Sequence, residues 1–175
     1  MPPHSGDGRF GPDWLLPPYA HLPGHTPHPL RDTGGHGHGL PDDAFRAVAP
    51  DDWRTCPAFL HGIDLFNVGY PWEAHEVWED LWRLYPPESA SATILQTLIK
   101  LAACAVKARL GNVNGVDRHR AKALRHLTKL ARTHDLFGLA VEDLYGFAAA
   151  LSPEAAGARG HLAVTLRPGE HPSVV

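Results

Sequence analysis

Between residues 71 and 85 the apolar side chains Ala74, Val77, Trp78, Leu81, Trp82 and Tyr85 recur at i, i+3, i+4, i+7, i+8 and i+11. That spacing follows the helical period and predicts an amphipathic helix over about 71–84, ended by Pro86-Pro87. Upstream, Asp51-Asp52 offer a cap and acids for a positive first turn, while Phe59, Ile63 and Phe66 offer an apolar face. A helix is therefore expected from about 51 to Val68. Gly69 suits its C-terminal stop, and Pro71 suits the first turn of the next helix. A third helix, about 89–110, is apolar nearly all round, with Gln96 and Lys100 as the strongly polar positions between 94 and 106, so it belongs at the centre. Gly111-Asn112 makes the turn into a fourth helix, about 113–132, with Val116, Ala123, Leu124, Leu127, Leu130 and Ala131 facing inward. A fifth, about 138–150, offers Leu139, Leu144 and Phe147, with Leu151 just beyond it.

The ends of the chain lack this periodicity. Residues 1–48 carry a Pro or Gly every few positions, which prevents any helix or strand ladder from persisting. Yet Trp14, Leu15, Leu16, Tyr19, Leu22, Leu30 and Leu40 are too apolar for a solvated tail, so an extended arm lying on the domain is expected. Residues 152–175 read as a tail in which LAVTL (162–166) pairs as a short strand or packs extended. The expectation is an all-α fold: one compact bundle of about five helices over 49–151, built from antiparallel helical hairpins, with an arm over 1–48. Gly62, Leu65, Gly69, Ala74, Trp78 and Pro86 fall near the positions of a tetratricopeptide hairpin. Two ordinary helix pairs explain the spacing as well, since a repeat array needs at least three copies.

Composition narrows the class. Of 17 Pro, 17 Gly and 13 His in 175 residues, ten, eight and six lie in the first fifty. There is no Gly-X-Y period, so collagen is excluded. Cys56 and Cys104 allow one bridge at most and read as reduced thiols, which excludes a disulfide scaffold. No uninterrupted apolar run reaches the ~18 residues of a membrane span, and MPPHSGDGRF lacks the layout of a signal peptide. A cytoplasmic protein with no membrane association is expected.

Charge is segregated. Residues 51–85 hold seven acids and two basic residues, and residues 86–135 hold nine basic residues and three acids. Arg118, Lys122, Arg125, Lys129 and Arg132 fall on one face if the fourth helix runs to 132. Such a stripe can meet phosphates. A net charge of −3 and the lack of aromatics along it argue against nucleic acid, and a solvated helix face explains it equally well.

The densest chemistry is WEAHEVWEDLW (72–82). His75 and Glu79 are four apart and share a helix face, with Glu76 beside them. In the H-E-x-x-H helix of metalloproteases two histidines at that spacing hold zinc and the Glu acts as base; here the pattern is H-E-x-x-E. His75 and Glu79 would give two ligands to a divalent metal ion, Glu76 the general base, and the arm histidines His28 and His36 (with His38 nearby) further ligands. The simpler reading is a half-buried His75 bonded to Glu79, with solvated arm histidines. Among motifs of other chemistries, no Ser-His-Asp order, phosphate-cradling glycine loop, Cys-based zinc motif or dinucleotide fingerprint is present, and Cys104 reads as a core residue.

The segments LFNVGYPWEAHEVWEDLWRLY (65–85) and ILQTLIKLAACAVKARLGNVNGVDRHRAKAL (94–124) resemble the small all-helical family known as domain of unknown function 309. Its EAHE motif falls on Glu73, Ala74, His75 and Glu76, followed by Glu79 and Trp82, and the resemblance covers about 55–131. Thr97 stands where a Gly is usual, and Gly115-Val116 replaces the usual Gly-Ala; both departures concern helix packing. The resemblance implies a helical bundle and no established activity. Two functions are thus expected to compete. One is a metal-assisted, hydrolase-like site on His75, Glu76 and Glu79. The other is a non-enzymatic hairpin module binding a peptide or pairing as a homodimer.

Overall fold

A computed structural model of the chain describes residues 9–11, 14–40, 46–132, 134–152 and 166–169. Five α-helices make up the body: α1 (Pro57–Asn67), α2 (Pro71–Trp82), α3 (Ala90–Arg109), α4 (Val113–Leu127) and α5 (Val141–Ala150). A short 3-10 helix, Pro50–Thr55, precedes them, and a two-stranded antiparallel hairpin, β1 (Asp135–Leu136) and β2 (Leu139–Ala140), stands between α4 and α5. Apart from that hairpin, the regular structure of the described residues is all helical.

Local chemistry sets the helix ends. The first helix expected from the pattern is two: Pro57, with no N–H to donate, starts α1, and Cys56 before it is held extended at φ −103° and ψ 91°. At the end of α1, Gly69 N–H bonds Phe66 C=O at 3.2 Å and Tyr70 N–H bonds Leu65 C=O at 2.8 Å, with Gly69 at φ +95°. These paired bonds satisfy carbonyls the helix leaves open, and glycine carries the left-handed turn without a Cβ penalty. The same pair closes α3 at Gly111 and Asn112. Ser89 caps α3 by accepting from Ala92 N–H at 3.1 Å, and Asn112 caps α4 by accepting from Gly115 N–H at 2.8 Å.

The apolar faces meet around α3, which packs against α2 on one side and α4 on the other. Trp78, Phe59, Phe66, Ile63, Leu81, Ile94, Leu98 and Leu101 are fully buried, each Leu- or Phe-sized side chain contributing about 1.5–3 kcal/mol. Gly62 is the contact point between α1 and α2: a Cβ there would overlap the Trp78 indole, whose Nε1 donates to Phe59 C=O at 3.4 Å. Among the described residues α3 is the helix long and apolar enough to cross a membrane, yet most of it is buried in this core.

The other expectations shift in two places. The fourth helix stops at Leu127, so Arg118, Lys122 and Arg125 lie on it, while Lys129 and Arg132 lie beyond it; Arg132 turns back to Glu142 on α5. The fifth helix begins only at Val141, because Phe137 and Gly138 take positive φ (56° and 69°) and close the β1–β2 hairpin. Residues 162–165 of LAVTL lie outside the described residues. Leu166, its last residue, is buried and exchanges two 2.8 Å hydrogen bonds with the Asn67 side-chain amide.

The described part of the arm packs against α1 and α2. Asp64 on α1 accepts from the N–H groups of Phe10 (2.9 Å) and Gly11 (2.8 Å), and Trp14 rests against the His61 ring.

Candidate metal centre and arm latch on α2

Proline at N1 sets the start of α2, and the core residues Ala74, Trp78 and Leu81 fix its rotation. The polar residues are thereby divided into two groups. His75, Glu76 and Glu79 form the first. His75 Nδ1 lies 3.0 Å from Glu76 Oε1 and 3.8 Å from Glu79 Oε2. One ligand atom from each of the three lies within 4.8 Å of the others, and all three residues are partly open to solvent. Arg83, one turn on, holds the other Glu79 oxygen, Oε1, at 3.0 Å, so Oε2 is left towards His75.

The second group joins the arm to the first turn of α2. Glu73 is 95% buried; its Oε1 accepts from His21 N–H at 2.7 Å and meets His36 Nε2 at 3.2 Å, while Oε2 has no hydrogen-bond partner among the described residues. Trp72 stands beside it, edge-on to the rings of His21 (4.8 Å) and His28 (5.3 Å). Burial, followed by the neighbouring His28, lowers the pKa of His21, whose Nδ1 lies 2.9 Å from Thr26 Oγ1. Tyr19 ties the group together: its hydroxyl accepts from His36 N–H at 3.3 Å and donates to Pro27 C=O at 3.1 Å.

Of the residues expected at the site, the structure brings together His75, Glu76 and Glu79. His36 is engaged by Glu73, and His28 packs on His21 and Trp72 with its Nδ1 accepting from Leu30 N–H at 3.2 Å. Among the described residues neither joins the cluster of potential ligands around His75. His38 bonds Leu30 C=O through Nδ1 at 3.1 Å. Asp64, Glu73 and His21 anchor the arm, a role that the apolar period alone does not mark. A signal was present: each acid interrupts a helix face that packing buries, and a buried carboxylate requires hydrogen-bond donors.

Cys56 and Cys104 are unpaired, buried thiols. Burial pushes the Cys104 thiol up to about 11, and its Sγ faces Val116 C=O at 3.6 Å, so it is a core residue without nucleophilic character. No curated protein matched the sequence. Residues 59–119, from α1 into the first turns of α4 and with the whole His/Glu cluster inside, match the model of a family described as a domain of unknown function (DUF309), and this chain resembles that family over them.

Proposed function

We propose that α2 carries a divalent-metal site for hydrolytic chemistry, in which His75 and Glu79 are the protein ligands and Glu76 is the general base. The observation that carries this reading is the approach of one His nitrogen and two carboxylates within 4.8 Å on a partly exposed helix face. One imidazole and carboxylate oxygens suit Zn²⁺ or Mn²⁺, and the solvent side leaves positions for water. A cation held there would lower the pKa of a coordinated water towards neutrality and polarise a carbonyl or phosphoryl oxygen. Glu76, whose Oε1 lies 3.0 Å from His75 Nδ1, would receive the proton that water loses. Arg83 keeps Glu79 oriented and competes with the cation for it. A cytoplasmic setting fits two unpaired buried thiols.

Titration calorimetry with Zn²⁺ and with Mn²⁺ tests the site. One ion per chain is expected for the wild type, lost in His75→Ala and weakened in Glu79→Gln. Glu76→Gln should keep most of the affinity but slow hydrolysis of an activated phosphate or carboxylate ester by about 10²-fold or more. No binding by the wild type, or equal binding by His75→Ala, contradicts the proposal.

A second reading, an interaction module, is favoured by the arm's exposed leucines: Leu15 is 92%, Leu40 66% and Leu30 54% exposed. On that reading they cover a second copy or a peptide, and Leu15→Ser/Leu40→Ser would abolish any concentration-dependent dimer seen by sedimentation. A monomer at all concentrations, with no bound peptide, is the contrary result.

A further inference from the structure

We propose that the seam between α3 and α4 binds the phosphoryl groups of a small polyanion, with Lys100 and Lys107 from α3 and His119, Lys122 and His126 from α4 as its recognition side chains. The α3 side is a single stripe. Gln96, Lys100, Ala103 and Lys107, at i, i+4, i+7 and i+11, are the partly open positions of the span 91–108 that otherwise faces the core. Lys107 is held flat across the start of α4, where a Cβ on Gly115 would stand 2.8 Å from its Cγ. The charge of Lys100 acts on both His119 and His126.

Among the described residues no ion pair balances this charge. Around His119 the charged groups are Lys100 and Lys107 from α3 and Lys122 and Arg118 from α4; around His126 they are Lys100, Lys129 and Arg125. None of these six cations makes an ion pair among the described residues, and the acid nearest in sequence, Asp117, is held by Arg120. The Nδ1 atoms of His119 and His126 are both buried without a hydrogen-bond partner among the described residues. Burial and the surrounding cations keep the imidazoles neutral, His119 being pushed down to about 4. Like charges gathered round orphan ring nitrogens are costly until an anion enters. A phosphoryl group would accept from the ammonium groups and raise the affinity of both imidazoles for a proton, which turns them into donors. The occupant is small and multiply charged because the partly open cations Lys100, Lys107 and Lys122 all act on His119 from two adjacent helices. The side chains named in the seam include no aromatic platform on which bases would stack.

Proton uptake gives the proposal its signature. Binding raises the histidine pKa values, and because a phosphoryl group itself gains a proton at about pH 6, the readout is the titration of the two imidazoles in the complex rather than the net affinity. Inorganic pyrophosphate, added to the full-length protein and followed by the carbon-bound ring protons of its histidines in NMR, is the test. Saturable shifts are expected at His119 and His126 with His75 unmoved, together with an upward move of the His119 titration in the complex. Lys100→Met, which keeps the apolar stem, and Lys122→Ala should each weaken binding about tenfold, the loss of one charge-assisted hydrogen bond. Unchanged wild-type spectra, shifts that do not saturate, or an affinity unaltered by both variants overturn the proposal. So does tighter binding of a single-stranded oligonucleotide that competes with pyrophosphate, which would assign the seam to nucleic acid instead.

Discussion

Glu73 shows how one side chain fastens an aperiodic segment. Its Oε1 receives the His21 backbone amide and meets the His36 ring, contacts that span 52 and 37 residues of chain. Glu73→Ala leaves those donors unmet in a buried place and should cost about 1–3 kcal/mol. Limited proteolysis should then cut between residues 14 and 40, whereas Glu73→Gln, which keeps an acceptor, should stay largely protected. The imidazoles of His119, His126 and His21 make a separate prediction. All three have native pKa values below the ordinary 6.5, so below that pH the unfolded chain binds more protons and stability falls. For His119 the loss develops between about 6.5 and about 4 and is complete below that. Because the ring is only half-buried, solvent screening limits the effect to about 1–2 kcal/mol. Urea unfolding at several pH values checks it, with His119→Gln expected to flatten the curve. At this scale the His75, Glu76 and Glu79 cluster was legible, because ligand spacing on a helix is local. The role of Glu73 was not, because its partners lie in a segment without any period to align them.

Elements were read well where an apolar period and a glycine or proline stop agreed. The spans of α2 and α3 lie within two residues of the expected ones, and Gly69 and Gly111 close helices as their sequence setting implies. Two departures share one cause, that backbone chemistry overrode a continuing apolar pattern: Pro57 splits the first helix, and Phe137-Gly138 inserts a hairpin whose two-residue strands are too short to show alternation. The fourth helix stops at Leu127 although Leu130 remains buried, its last turn tightening into bonds from Lys129 N–H to His126 C=O and from Leu130 N–H to Leu127 C=O. Gly138 is the sharpest test of that hairpin. Its φ is +69°, and a Cβ there would stand 2.6 Å from the Trp53 indole. Gly138→Ala should therefore cost about 2 kcal/mol or more, from left-handed strain and overpacking together. Thermal unfolding of this variant beside Gly111→Ala, where φ is +64° but the space around the glycine is open, separates the two. Gly62→Ala should likewise lose about 1–3 kcal/mol by driving α1 from Trp78, despite alanine's better helix propensity.

At the scale of the molecule, two surfaces of opposite charge share one core. The acidic face of α2 carries the His/Glu cluster and the arm latch, and α3 with its single basic stripe separates it from α4. The segregation of charge was visible in the sequence, but its distribution over two distinct sites depended on packing. Of the apolar arm residues expected to pack on the domain, Trp14 does so against His61, while Leu15, Leu30 and Leu40 stay exposed; the path of the described part of the arm is set by Asp64 and Glu73. The central claim is that this acidic face is a metal centre. A crystal grown with Mn²⁺ and measured for anomalous scattering tests it most directly. One strong peak is expected about 2.0–2.2 Å from a His75 ring nitrogen and a Glu79 oxygen, with Glu76 next to the solvent positions. A peak at Glu73 and His36 instead, or none on α2 at saturating Mn²⁺, would contradict it.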